Sequence, residues 1–167
     1  NAYEAAMNAE VLKEKDIELV KLLGLCNINL NYLDEALKNF EDFLNQNPDD
    51  ALSLYYMATI YLGKDKSDEA ELLLKKVIEL RKDYLDAYKT LAVALMKQKK
   101  SQEVFEYETK MLEIGSEDVQ VYEILSSVAL ENTKFSSAIE YLEKAIALEP
   151  DNSRLYNKLG LTYFSSG

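Results

Sequence analysis

The chain has no histidine and only one cysteine. Without histidine it lacks the commonest general base and metal ligand near neutral pH, and a single thiol can build neither a disulfide framework nor a zinc cluster. Basic residues are in deficit, with 19 Lys and Arg against 30 Asp and Glu and a formal net charge of −11. Phosphate backbones need a basic stripe that this balance does not supply, so nucleic acid is not the expected partner. No stretch approaches the roughly 20 apolar residues of a membrane span, and no signal peptide is visible. The sequence opens inside a helical pattern, so an upstream targeting segment stays open and the compartment is undecided beyond a mild preference for the cytoplasm. Prolines number two, Pro48 and Pro150, and their 102-residue separation turns out to matter.

The most regular stretch is 118–150. Val121, Tyr122, Leu125, Val128 and Ala129 recur at helical spacing, as do Ala138, Ile139, Leu142, Ala145 and Ile146, with a polar break at 131–134 between the two sets. Pro150 ends the pattern, and Asp151-Asn152-Ser153 offers a cap for a further helix. Shifting the chain by 34 residues brings alike residues into register without an insertion. One column reads Gly24, Ala58, Ala92, Ser126 and Gly160, all small, and its neighbour reads Leu23, Met57, Leu91, Leu125 and Leu159. Ala36, Ala70, Val104 and Ala138 form a third column, and Leu44, Ile78, Leu112 and Ile146 a fourth. The two prolines stand three such periods apart.

A 34-residue helix-turn-helix unit with a small residue after a leucine, an alanine early in its second helix and a closing proline resembles the tetratricopeptide repeat, over about residues 17–167. The resemblance implies an all-α, right-handed superhelical solenoid of antiparallel helix pairs. The unit boundaries are then 1–16 (partial), 17–50, 51–84, 85–118 and 119–152 (full), and 153–167 (the first helix of a truncated unit). The family's early aromatic appears as Tyr88, Tyr122 and Tyr156, with Val20 and Leu54 in its place elsewhere. Departures are Lys82 and Ser116 at the proline position, Glu108 where Phe40, Leu74 and Leu142 are large and apolar, and Phe43 for a usual alanine. The stretch 101–114 is thus the least typical second helix, although Val104, Tyr107, Met111 and Ile114 still make a stripe.

Helices are expected at about 17–30, 33–46 and 153–165, and two-helix units at about 51–80, with its turn at 63–66, at about 84–114, and from there to 148. Residues 1–13, with Ala2, Ala6, Ala9 and Leu12 on one face, read as a separate second-type helix, and Asp16 as the cap of the next. Cys26 shares a column with Ile60, Ala94, Val128 and Thr162, so it is expected to be buried. The small column is expected at close helix–helix contacts. Asp34-Glu35 and Asp68-Glu69 open second helices, where negative charge suits the helix dipole, and are read as capping features, not catalytic carboxylates. No nucleophile, base and orienting group converge, so no enzyme and no cofactor are expected.

Columns that stay alike report packing, whereas columns that change chemistry are candidates for recognition. The resemblance implies that first helices line a concave groove for an extended peptide or partner helix. The positions that match are Lys21, Tyr55, Lys89, Glu123 and Asn157, and one turn on, Leu25, Thr59, Val93, Ser127 and Leu161. Tyr55, Lys89 and Asn157 are expected to be exposed there. Some members of the family clamp a terminal carboxylate with lysine, arginine and asparagine. Read onto this chain, Lys89, Arg154 and Lys158 match as cations, but Val93 and Ile124 stand where asparagines are needed. The function expected is a non-catalytic protein–protein interaction scaffold that binds a peptide or partner segment. The alternatives are the substrate-selecting region of a larger enzyme such as a glycosyltransferase, and a self-associating assembly module. For the last, the helix at 153–165 presents Leu155, Tyr156, Leu159, Tyr163 and Phe164, to be covered by another copy's first residues or by the same helix of a second copy.

Overall fold

The computed structural model describes the backbone of residues 2–167 and the side chains of residues 16–167. Its helices fall into two compact units, Asn1–Arg81 and Lys82–Gly167. In the first, α1 (Ala2–Asn29) pairs with α2 (Leu33–Leu44) and α3 (Ala51–Gly63) with α4 (Ser67–Leu80), and α2 also packs on α3. In the second, α5 (Leu85–Lys97) is followed by a 3₁₀ turn, Ser101–Val104, that leads into α6 (Phe105–Ile114). α7 (Val119–Glu131) pairs with α8 (Phe135–Leu148), and α9 (Ser153–Ser166) packs on α8.

The helices reverse by one device repeated at the 34-residue spacing. Asn31, Asp65, Lys99 and Thr133 all adopt left-handed backbone, with φ of 62°, 58°, 60° and 56°. After each, the next N–H reaches back across the end of the helix: Tyr32 to the Asn27 carbonyl, Lys66 to Tyr61, Lys100 to Leu95 and Lys134 to Ala129, at 2.8–2.9 Å. This six-to-one bond satisfies a carbonyl that the helix end would leave orphaned. In the 63–66 turn it is therefore Asp65, not Gly63, that carries the unusual conformation. For β-branched Thr133 that conformation costs on the order of 1 kcal/mol.

The starts of first helices are capped where a short polar side chain is available. The Asp50 carboxylate accepts from the Ser53 N–H, Asp118 from Gln120 and Val121, and Asn152 from Arg154. The expected cap at Asp16 has no such role, because α1 runs unbroken from Ala2 to Asn29. Nothing in the sequence stops it: the segment EVLKEKDIEL is built almost wholly of helix formers, and no proline or glycine precedes Gly24.

That continuity corrects the expectation for Cys26. Ile60, Ala94, Val128 and Thr162 are buried, but Cys26 is exposed. Leu19, Leu22 and Leu23 are likewise about half exposed. The first helices α3, α7 and α9 each meet a preceding second helix. Here the preceding residues extend α1 along its own axis instead of folding back beside it.

The small column sits at close contacts, with one exception. A Cβ on Gly24 would lie 2.9 Å from the Phe40 ring of α2, and Ala58, Ala92 and Ser126 are at most 2% exposed. Gly160 departs from the expectation, being exposed with open space around it. It lies on α9, which packs on α8, and among the described residues no later helix is laid against it. On the same helix Tyr156, Tyr163 and Phe164 are exposed, while Leu155 is buried.

Two departures from the repeat pattern are compensated. Where Lys82 and Ser116 replace proline, their carbonyls accept hydrogen bonds from the Tyr88 and Tyr122 hydroxyls at 3.2 and 3.0 Å. Glu108, in the least regular second helix, accepts from the Tyr141 hydroxyl of α8. Burial and the neighbouring carboxylate push that phenol well above its ordinary pKa, so it stays a donor. Replacing Ala92 by Leu forces extra methylenes into a closed contact and should cost about 1–3 kcal/mol, seen as a melting temperature lowered by several degrees in a circular dichroism scan. Unchanged melting would show that the register of the repeat is misassigned.

Candidate functional site

The first-helix face divides between the two units. In the first unit it comprises Lys21 and Leu25 on α1 with Tyr55 and Thr59 on α3. In the second it comprises Lys89 and Val93 on α5, Glu123 and Ser127 on α7, and Asn157 and Leu161 on α9. Leu25, Tyr55, Thr59 and Ser127 are half-buried, and Val93, Asn157 and Leu161 are exposed. Of the three residues expected to be exposed, only Asn157 is. Tyr55 packs edge-on against Tyr56, with ring centroids 5.7 Å apart, and the Lys89 side chain is only 15% exposed.

Lys89 is drawn in because it is tied to the next repeat. Its ammonium lies 2.8 Å from Asp118, 3.0 Å from Asp86 and 3.2 Å from the Gln120 amide oxygen. Lys21 makes the same bond to Asp50 at 2.7 Å. Both bonds span 29 residues, and in both the acceptor is the cap of the following first helix. One carboxylate thus holds a helix start and a cation from the preceding repeat. Burial alone would raise Asp50 and Asp118, but the lysines and the capped N–H groups outweigh it and hold both below the usual carboxylate range. Burial would likewise lower Lys89, but its two carboxylates outweigh that and raise it.

The third charged member of the column, Glu123, is the inverse case. Its two oxygens accept from Arg154 Nη2 at 2.6 and 2.5 Å, and Lys158 stands 3.4 Å away. Arg154 and Lys158 are therefore brought together on α9, whereas Lys89 is held apart from them by its own acids. The three do not form a set of free cations.

Cavities open in each unit. One, of about 350 Å³, lies among α5, α7 and α9 and is lined by Val93, Met96, Ile124 and Ser127 with Gln120, Glu123 and Lys158. Another, of about 420 Å³, lies in the first unit between α1 and the end of α2, where Asp16 and Asp42 flank Ile17 and Val20. Among the described residues no cluster of three or more His, Cys, Asp or Glu side chains could hold a metal ion, and no helix is long and apolar enough to cross a membrane. The lysine–aspartate ties escaped the sequence reading. Their signal was there, in Lys21 and Asp50 against Lys89 and Asp118 at one spacing two periods apart.

Helix pairs repeating every 34 residues, joined by identical turns, define an all-α helical-repeat solenoid. Residues 131–167 match the TPR repeat family model, and residues 39–71 match the tetratricopeptide repeat model. DnaJ homolog subfamily C member 3 of Bos taurus is 36% identical over 100 residues, which are 60% of this chain and 19% of that protein. BBSome complex member BBS4 of Bos taurus is 29% identical over 106 residues, 64% of this chain and 20% of that protein. The match therefore spans about a fifth of these curated relatives. Among solved structures, MamA superimposes with a TM-score of 0.82 at 22% identity over 88% of this chain and 80% of its own. YrrB, described as a TPR protein with an unusual peptide-binding site, gives 0.81 at 16% identity over 95% and 82%. Two segments of the chain thus match tetratricopeptide-repeat models, and its helical-repeat fold is similar to that of solved TPR proteins.

The capping ties titrate. A carboxyl held below its unfolded value stabilises the fold above that value, near pH 4, and the contribution is lost as pH falls through the folded pKa. Asp118→Asn keeps a capping oxygen but removes the charge, and should cost about 0.5–1 kcal/mol at neutral pH. Chemical denaturation at pH 7 and at pH 3 should show the difference from wild type shrinking toward zero in acid. A difference of the same size at both pH values would show that the tie to Lys89 is not ionic.

Proposed function

We propose that the first-helix face binds a peptide or extended partner segment, and that the chain does so without catalysis. The observation that carries this is the contrast between adjacent columns. Met57, Leu91 and Leu125 are alike and buried, as are Ala58, Ala92 and Ser126, whereas the neighbouring positions on the same helices change from cation to tyrosine, acid and amide and keep contact with solvent. Packing accounts for the first set and leaves the second free to specify a ligand. The curated relatives are far longer than the matched stretch, so a role as the substrate-selecting region of a larger enzyme would use this same face.

Charge refines the reading. Arg154 and Lys158 are two cations on the one carboxylate of Glu123, which favours an acidic ligand at α9 and binding that weakens as salt rises. The test is recovery of partners from a native extract by the immobilised chain and its variants. Tyr55→Ala and Leu161→Asp should each reduce recovery about tenfold, while Leu72→Asp, an exposed change on α4, should leave it intact. Equal recovery by all three would remove the face from consideration.

A second reading, self-association, rests on α9, where Phe164 is 88% and Leu161 68% exposed. Sedimentation should then show dimers or longer assemblies that disappear in Phe164→Glu. A monomer at every concentration would end that reading.

A further inference from the structure

The cavity among α5, α7 and α9 differs in chemistry between its floor and its rim. Val93, Met96 and Ile124 form an apolar floor, with Val93 38% exposed. Two of these, Val93 and Ile124, occupy the positions at which a carboxylate clamp needs asparagine donors. An anion seated there would give up its hydration for aliphatic carbon, with no hydrogen bond in return. Aliphatic carbon instead favours an apolar side chain, which loses its own contact with water on entry.

The rim is rich in donors. Glu123 is one carboxylate shared by two cations, Arg154 and Lys158, beside the cavity. The Arg154 side chain is 68% exposed, and it contacts Glu123 through Nη2, so its other N–H groups remain to be used. Gln120 has its amide oxygen occupied by Lys89, and its amide N–H groups are left as donors. Lys89 itself is enclosed by Asp86 and Asp118 and contributes no positive charge to the site.

Building on the peptide-binding reading, we infer that this cavity takes a bulky aliphatic or aromatic side chain from within a partner peptide, with an acidic side chain of the same peptide set against Arg154. The occupant is thus an apolar-acidic pair in mid-chain and not a terminal carboxylate.

The probes are mixtures of short peptides, acetylated and amidated at their ends, random except for a central residue fixed as Leu, Phe, Asp, Lys or Ser. They are passed over the immobilised chain, and the retained peptides are sequenced. The Leu and Phe mixtures should be retained, with Asp and Glu enriched next to the fixed position. Val93→Glu, a change at an exposed site whose folding is checked by circular dichroism, should cut retention about tenfold. Arg154→Ser should keep the apolar preference and lose the acidic enrichment. Against the same mixtures prepared with a free C-terminal carboxylate, Val93→Asn combined with Ile124→Asn should shift preference toward the free-acid forms. Retention led by the Asp mixture and unaffected by Val93→Glu would overturn the inference while leaving the first-helix face as a binding surface. Retention of no mixture above bare resin would overturn both.

Discussion

The structure depends on how closely the first helix of each pair can approach its partner. Gly24 meets the Phe40 ring at a distance that admits no Cβ, and Ala58, Ala92 and Ser126 hold the corresponding places with almost no exposure. Small side chains at one column let the large ones beside it close over each other, so Leu74, Leu91, Leu125 and Leu142 are fully buried. Each such burial is worth roughly 1.5–3 kcal/mol. One helix pair buries too few of them to offset its ordering entropy, so stability accrues by adding neighbours.

Polar groups are arranged to serve that packing. Left-handed residues reverse the chain and hydroxyls of Tyr88 and Tyr122 take up carbonyls at the points where proline is missing. Asp50 and Asp118 each anchor a helix start and a lysine from the repeat before. The consequence for function is that much of the charge on the first-helix face is already used within the protein. On the proposed reading, recognition falls to what remains: apolar surface at Val93 and Leu161, and the cations Arg154 and Lys158.

The period, the helix pairs, the small column and the oddity of Glu108 were legible in the sequence, because each is a matter of residue type recurring at a fixed interval. The turns were only partly so. Asn31, Asp65, Lys99 and Thr133 share a backbone conformation but no chemistry, and comparing columns by chemistry passes over them. The exposure of Cys26 and Gly160 was misjudged because a column argument assumes a neighbour on both sides of every helix, and among the described residues α1 and α9 each lack one. As for the candidate site, its positions were legible but the state of its charges was not. The acceptors of Lys21 and Lys89 lie 29 residues on, off the repeat interval, and a cation alone in a column looks free until its partner is found.

On the proposed reading, the chain meets its ligand on the first-helix face, whose charges are largely spent and whose apolar floor is open. A nuclear magnetic resonance titration of the isotopically labelled chain with an amidated peptide retained from the Leu-centred mixture tests it most directly. Shifts should concentrate on the methyls of Val93, Met96 and Ile124 and on the Arg154 guanidinium, with Leu72 and Ala138 on second helices unmoved. Shifts confined to α6 and α8, with those methyls silent, would contradict it.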